Sequence, residues 1–259
     1  EIGSGLVGSE MCIRDRNRMD IMTNNLANAS TVGYKKEGST SQSFDDVLTV
    51  KIKDQSVGMR NVQRLGVKNP GVKIGENYTD YSQGSFRITG NTYDLALSGE
   101  GFFAIEFTNK AGETDTKYTR AGQFTLNKDG YLVTEEGDYV LDTQNRRIRL
   151  NTLIDSSITD DGTIYQNGQA VAKIQVTDFE DYDYLEKYGE TYYQPIQGAK
   201  TIAAKAQVKS GYLEMANVQI VSEMVNLISI TRAYESNQKV VQTIDDTLDV
   251  AVNQIGRVQ

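Results

Sequence analysis

The longest periodic pattern in the chain lies in NVQIVSEMVNLISITRAYESNQKVVQTIDDTLDVAVNQIGRVQ, Asn217 to Gln259. Its apolar residues recur at alternating steps of three and four, and Glu223 and Asn237 are the polar members of the row. The apolar members are Ile220, Leu227, Ile230, Tyr234, Val241, Ile244, Leu248, Ala251, Ile255 and Val258. This spacing predicts one helix of coiled-coil type, from about Asn217 to about Arg257. So long a helix is unusual in a domain of this size, so we expect it to project and pair.

A shorter row with the same spacing lies near the other end of the chain. It consists of Cys12, Asp15, Met19, Met22 and Leu26, in which Asp15 fits poorly. Two chain ends with matching rows predict that the N-terminal helix, residues 1–33, pairs with the C-terminal helix as a coiled coil.

Three asparagines, Asn24, Asn25 and Asn28, lie beside the N-terminal row, where a simple surface helix would carry charges or alanine. An amide donates and accepts hydrogen bonds without a charge, so it can be desolvated at modest cost once each bond is made. We therefore expect this helix face to be buried by another chain.

The middle of the chain is rich in glycine, tyrosine and threonine and predicts short strands. Two passages, Phe124 to Leu141 and Ser157 to Ile174, each place an Asp-Gly between alternating apolar residues. Asp-Gly in this setting predicts a β-hairpin, with a type I′ turn in which both central residues have positive φ. The passage Ser39 to Tyr78 is polar and punctuated by Gly and Pro, which indicates an extended linker or a loose hairpin. Acid and tyrosine alternate in Asp178 to Tyr193, an expected exposed loop.

The predicted fold class is mixed α and β, with paired terminal helices and a central, mostly antiparallel all-β domain. The expected boundaries are an N-terminal helix at 1–33, a connector at 34–80, the β domain at 81–200, a return connector at 201–216 and the C-terminal helix at 217–259.

Composition excludes several classes of function. The 259 residues carry a net charge of −8, whereas a nucleic-acid ligand needs a clustered positive field. The absence of histidine removes histidine-based catalysis and histidine-ligated metals, and one cysteine permits no internal disulfide. The chain has no run of eighteen apolar residues and no signal-peptide pattern at its start, so we expect any export to use another route.

Candidate chemical groups all have a structural interpretation. The pair Asp160 and Asp161 belongs to a predicted turn, and LSGEGFFAI, Leu97 to Ile105, is a tight turn that delivers Phe102 and Phe103 to a β core. Asp178, Glu180, Asp181 and Asp183 form an acidic cluster that suits a divalent ion or a basic partner, against a solvated surface as the default. Arg232 and Glu235 suit either a partner-recognition pair or a surface ion pair. We expect no catalytic site, cofactor, metal or small-molecule substrate.

Four passages together resemble the flagellar rod and hook proteins of bacteria. They are MDIMTNNLANASTVGYKK, SQGSFRITGNTYDLALSGEGFFAI, YTRAGQFTLNKDGYLVTEEGDYVL and SGYLEMANVQIVSEMVNLISITRAYESNQKVVQTIDDTLDV. The resemblance implies a structural subunit of the basal-body rod, whose paired terminal helices line an axial tube that transmits torque. It also implies a helical homopolymer, contacts with other rod and hook subunits, and export by the flagellar apparatus without a cleaved signal peptide. The chain length and SQGSFRITGN favour a rod subunit, of the distal type, over a hook or hook-associated subunit.

Two other classes stay open. A carbohydrate-active enzyme needs two converging carboxylates, and a surface adhesin needs a stalk formed between like helices of different chains.

The resemblance also marks an assembly interface and one departure. The interface consists of Met19, Met22, Asn24, Asn25, Leu26, Asn28, Leu227, Ile230, Arg232, Tyr234, Glu235, Asn237, Val241, Ile244 and Leu248. In the family Gly33 ends the N-terminal helix, and Tyr34 to Lys36 begin the connector. Residues 1–16, EIGSGLVGSEMCIRDR, depart from the family pattern, and we expect them to be foreign sequence.

Overall fold

The computed structural model describes residues 2–43, 47–52, 62–68, 72–109, 112–250 and 253. The chain forms two compact units. The first contains residues 1–26, 37–80 and 220–259, and the second contains residues 27–36 and 81–219. Each unit is built from segments that are distant in sequence.

The first unit contains both long helices and four strands. Helix α1 spans Ile2–Ala27 and helix α2 spans Ile220–Val250. The strands are β1 (Glu37–Ser43), β2 (Val47–Ile52), β3 (Val62–Lys68) and β4 (Val72–Thr79). Strand β1 pairs antiparallel with β4, and β2 pairs antiparallel with β3. The segment expected to be a connector thus forms two nested strand pairs.

The helix ends differ slightly from those expected. Helix α1 ends at Ala27, ahead of Gly33, because a turn follows in which the Thr31 N–H donates to the Asn28 carbonyl over 3.1 Å. Helix α2 begins at Ile220 and is helical to Val250. The predicted row members Ala251, Ile255 and Val258 lie outside the described residues.

The second unit is a β domain, as predicted, and every strand pairing that the structure describes in it is antiparallel. Its strands in chain order are β5 (Phe86–Ile88), β6 (Leu95–Ser98), β7 (Phe102–Thr108), β8 (Thr114–Thr119), β9 (Phe124–Leu126), β10 (Leu132–Thr134), β11 (Tyr139–Val140), β12 (Ser156–Ile158), β13 (Thr163–Gln166), β14 (Gln169–Lys173), β15 (Val176–Phe179), β16 (Leu185–Tyr188), β17 (Tyr192–Pro195), β18 (Thr201–Ala203), β19 (Gln207–Ser210) and β20 (Tyr212–Glu214). Residues 201–216, expected to be a return connector, therefore carry three strands.

One large sheet dominates this unit. Its strand order is β16-β17-β8-β7-β11-β10-β9, and β15 joins β7 to β18. Smaller sheets are formed by β12-β13-β14, by β19 with β6 and by β20 with β5.

The core lies on both sides of β7. Phe103 belongs to one cluster of buried apolar side chains, with Phe124 and Leu132 among its members. Phe102 belongs to a second cluster, with Phe179 and Tyr193. Successive residues of a strand point to opposite faces, so the two adjacent phenylalanines serve both clusters. Both rings are fully buried, which confirms the interpretation of LSGEGFFAI as a turn that leads into the core.

Both predicted hairpins are present, but their Asp-Gly turns are not of type I′. Strand β9 pairs with β10 and β12 pairs with β13, each antiparallel. Gly130 and Gly162 have φ of 81°, whereas the described residues other than glycine with positive φ are Asn145 and Asn167. Each Asp-Gly loop therefore has three residues and only the glycine is left-handed. The type I′ geometry occurs instead at Asn167 and Gly168, between β13 and β14.

Candidate functional site

The predicted interface residues of α2 divide by exposure. Ile230 is buried, and a half-buried row on the same face contains Leu227, Tyr234, Asn237, Val241 and Ile244. Arg232, Glu235 and Leu248 are exposed. Arg232 and Glu235 form no ion pair with each other in the described chain. From Glu223 to Ile244 the burial pattern of α2 follows the three-four row that the sequence predicts, whereas Ile220 and Leu248, at the two ends of the row, are exposed.

Two contacts join α2 to α1, one from Asn237 of this row and one from the neighbouring Thr231. The Asn237 amide donates to the Asp15 carboxylate over 2.9 Å, and Asp15 is buried and also accepts from Arg14. The Thr231 hydroxyl lies 3.7 Å from the sulfur of Met19. Asp15, which fits poorly in an apolar row, is therefore satisfied by a hydrogen bond from Asn237, the amide in the row of α2.

Asn25 of α1 and Asn28 of the turn that follows it form hydrogen bonds within the chain. The Asn25 amide donates to the Glu37 carbonyl over 2.8 Å and its oxygen accepts from the Glu37 N–H over 2.9 Å. The Asn28 oxygen accepts from the Thr31 hydroxyl, and both Asn25 and Asn28 are buried. These bonds serve the start of β1 and the end of α1, and the burial of this face by another chain stays a prediction. Asn24, Met22 and Leu26 are exposed or half-buried, and their role in assembly stays a prediction.

The second unit contains a feature that the sequence analysis missed, a buried charge cluster of Lys35, Arg120 and Glu214. Lys35 and Glu214 have no exposed surface and Arg120 is 2% exposed. The Lys35 ammonium donates to the Glu214 carboxylate over 2.6 Å and to the Ser82 carbonyl over 2.7 Å. Arg120 donates to the other Glu214 oxygen over 3.4 Å, and its guanidinium lies 5.2 Å from the centre of the Phe102 ring.

Close backbone packing surrounds the buried charge cluster. The Gly84 N–H donates to the Glu214 carboxylate over 2.9 Å, and the Gly33 N–H donates to the Glu214 carbonyl over 2.8 Å. A Cβ on Gly84 would lie 1.9 Å from the Met215 carbonyl oxygen, and one on Gly33 would lie 2.3 Å from the Ala121 nitrogen. No side chain fits at either position.

The buried charge cluster joins four separate segments of the chain. Lys35 lies in the segment that follows α1, Gly84 lies before β5, Arg120 follows β8 and Glu214 ends β20. Each of the four passages behind the family resemblance contributes one of these residues. A carboxylate with two buried cations and a backbone donor is fully engaged, so the arrangement holds segments together and offers no free acid or base.

Other carboxylates have structural roles. Asp161 accepts from the Thr159 hydroxyl and from Thr163 in the exposed turn before β13, and these hydrogen bonds lower its pKa. Buried Asp178 accepts from the Tyr182 hydroxyl over 2.8 Å. Among the described residues no group of three or more acidic or cysteine side chains is arranged to hold a metal ion. No described helix is both long enough and apolar enough to cross a membrane.

Comparison with known proteins covers most of the chain. Three family models match: the flagella basal body rod protein model at residues 12–35, the flagellar hook protein FlgE/F/G D1 domain at 96–168 and the flagellar basal body rod FlgEFG protein C-terminal model at 209–255. The first match begins inside the segment 1–16 that the sequence analysis expects to be foreign.

Three relatives illustrate the similarity to whole proteins. The flagellar basal-body rod protein FlgG of Bacillus subtilis (strain 168) is 33% identical over 91% of this chain and 92% of its own length. The rod protein FlgF of Caulobacter vibrioides is 33% identical over 94% of both chains. The flagellar hook-basal body complex protein FlhO of Bacillus subtilis is 28% identical over 95% of this chain and 96% of its own length. The chain belongs to the flagellar basal-body rod protein family, which is structural and not enzymatic.

Proposed function

We propose that this structural rod subunit polymerises with copies of itself into a helical tube that transmits torque. One observation carries the proposal. Besides its half-buried row, α2 has a second row of exposed apolar side chains, here called the outer row: Ile220, Val221, Met224, Val225 and Ile228. Val221 is 76% exposed and Val225 is 57% exposed. Contiguous exposed apolar surface of this kind is typical of a face that another chain covers.

The half-buried row supports a coiled coil between the two helices of one chain. A coiled coil needs one face per helix, and the Asp15 to Asn237 hydrogen bond joins those faces. The outer row is then available to neighbouring subunits, as are the exposed charges of Arg232 and Glu235. An adhesin stalk would instead pair like helices of different chains.

Family membership supports further parts of the proposal. We place the chain outside the cytoplasmic membrane in the basal body, exported by the flagellar apparatus without a cleaved signal peptide. Its partners there are copies of itself and other rod and hook subunits. The relatives named FlgG and FlgF are both 33% identical to this chain, so percentage identity does not choose between them. The assignment to the distal type of rod subunit therefore rests on the sequence resemblance alone. A hook-associated subunit is the alternative, favoured by the similarity to the protein named FlhO.

The outer row provides the test. Ile228→Asp places a charge on the outer row, and Ser236→Asp places the same charge on an exposed position of the same helix outside that row. We expect purified Ile228→Asp protein to stay monomeric in sedimentation velocity under conditions in which wild type and Ser236→Asp form tubes visible by electron microscopy. Tubes formed equally well by all three proteins would refute the role of the outer row. Wild-type protein that forms no homopolymer would refute the proposed polymerisation.

A further inference from the structure

An arginine–tyrosine ridge crosses one end of the large sheet. It consists of Arg147, Tyr139, Tyr131 and Arg149. The Arg147 guanidinium lies 4.3 Å from the centre of the Tyr139 ring, and Arg149 lies 5.6 Å from the centre of the Tyr131 ring. The two tyrosine rings meet edge to face at 5.5 Å. The four side chains therefore form one continuous surface.

The ridge is held in place before any partner arrives. Arg147 donates two hydrogen bonds to the Glu106 carboxylate, over 3.1 and 2.5 Å, and stacking on tyrosine restricts both guanidinium groups. Ordering long side chains on binding costs free energy, so a surface that is already ordered binds more tightly for the same contacts. Arginine and tyrosine are also the residue types that contribute most to binding at protein interfaces.

Arg149 is the member of the ridge with hydrogen-bonding capacity to spare. Its side chain is exposed, and in the described part of the chain it donates one hydrogen bond, from Nε to the Asp129 carbonyl over 3.3 Å. The two terminal nitrogens of the fork remain to donate to a carboxylate, which a guanidinium binds in a bidentate way. A partner for the ridge should therefore present carboxylates and flat aromatic surface.

Such a surface lies at the opposite end of the same sheet. Strand β16 is the first strand of the order, and β17, β8 and β7 separate it from β11, which carries Tyr139. Four strand spacings correspond to about 19 Å. The exposed residues on and just before β16 form an acid–tyrosine edge of Asp181, Asp183, Tyr184, Glu186 and Tyr188. The sequence predicts an exposed loop for the passage Asp178 to Tyr193 that contains this edge. That prediction is wrong, because β16 and β17 form a strand pair of the large sheet in which Leu185, Tyr192 and Tyr193 are buried.

We propose that the arginine–tyrosine ridge of one subunit docks on the acid–tyrosine edge of the next copy. The two surfaces have opposite charge, share aromatic character and lie on different ends of one rigid sheet. When two different surfaces of the same chain bind each other, each added subunit leaves one surface of each kind free for the next. Such a contact produces an open helical polymer unless the rotation between neighbouring subunits closes a ring. The inference rests on the proposed homopolymer and assigns residues of the β domain to it.

Charge reversal and rescue test the docking on the full chain. The variants are Arg149→Glu, the pair Asp183→Lys with Glu186→Lys, and all three changes together. Lys205→Glu, at an exposed lysine outside both surfaces, is the control for net charge. The critical concentration for polymerisation is measured by sedimentation, and unfolding by urea verifies that each variant folds.

Reversal of either surface should raise the critical concentration at least about tenfold, because like charges then face each other. The triple variant restores opposite charges and should return to within about threefold of wild type, as should Lys205→Glu. Wild-type values for Arg149→Glu, or a triple variant no better than the single reversals, would overturn the docking and leave the homopolymer intact. A wild-type chain that stays monomeric would overturn the homopolymer itself, and the docking with it.

Discussion

At the scale of single residues, Glu214 joins separate segments of the β domain. Its carboxylate accepts from Lys35, Arg120 and the Gly84 N–H in a site closed to water. Two cations and one anion share this site, and the Glu214 carboxylate contacts both cations, Lys35 over 2.6 Å and Arg120 over 3.4 Å.

Replacement of Glu214 by glutamine should destabilise the domain strongly. The change keeps the shape and one acceptor but removes the negative charge that contacts both buried cations, which costs roughly 3–5 kcal/mol. Glu106→Gln, at the partly exposed pair with Arg147, is the matched control and should cost about 1 kcal/mol or less. Urea denaturation of both variants measures the difference. Equal losses would show that the buried charge cluster has no special role.

The pair of Glu106 with Arg147 predicts a dependence of stability on pH. The hydrogen bonds from Arg147 hold the pKa of Glu106 below its usual value. A lowered pKa in the folded state means that the pair stabilises the protein above the unfolded pKa of about 4.3 and that this contribution is lost as the pH falls through the folded value. Wild type should therefore exceed Glu106→Gln in unfolding free energy at pH 7, and the gap should shrink at pH 3. A gap that is constant with pH would contradict the assigned cause.

The sequence predicts individual residues only where a pattern repeats. The row of α2 repeats every three or four residues, so its burial could be read from spacing. Lys35, Arg120 and Glu214 lie in separate segments and belong to no repeating pattern, so no spacing predicts that they meet. Glycine was the available signal: Gly33, two residues before Lys35, and Gly84 both pack against backbone at the buried charge cluster.

At the scale of elements, α2 presents two isoleucines with different surroundings. Ile230 is 7% exposed and belongs to the half-buried row, whereas Ile228 is 55% exposed and belongs to the outer row. They lie two positions apart on one helix, so they face different directions.

The same substitution at the two isoleucines should therefore separate folding from assembly. Ile230→Asp buries an uncompensated carboxylate and should lower helical content in the monomer, measured by circular dichroism. Ile228→Asp should change the monomer's unfolding free energy by less than about 0.5 kcal/mol, since its side chain is in water. A monomer in which Ile228→Asp loses as much helix as Ile230→Asp would show that the two rows are assigned to the wrong faces.

Hairpins could be predicted from Asp-Gly, but their turn type could not. In the three-residue loops after Asn127 and Thr159 the glycine N–H donates to the carbonyl of the residue just before the loop, over 3.0 and 2.9 Å. The same bond recurs from Gly137 to Thr134 and from Asn145 to Asp142. A polar side chain just before the loop and a left-handed residue at its third position define this loop, whereas Asp-Gly alone fits both loop lengths.

At the scale of the whole molecule, the class of fold could be predicted from the sequence. The boundaries of the two compact units could not. Periodicity predicts a helix at each end of the chain and strands between them, and the structure has that order. The rod-family models match the segments that contain these helices. Residues 27–36 nonetheless belong to the β unit, because Gly33 and Lys35 bond to Glu214. Contacts between segments so distant in sequence leave no local pattern.

The central claim is that the outer row of α2 becomes covered when copies of the chain assemble, while the β domain is already complete in the monomer. Amide hydrogen exchange, compared between monomer and polymer, tests this most directly. The account predicts that residues 220–228 exchange quickly in the monomer and become strongly protected in the polymer, whereas strands β7, β10 and β11 are protected equally in both. Unchanged exchange at residues 220–228 on polymerisation, or new protection confined to the β domain, would contradict it.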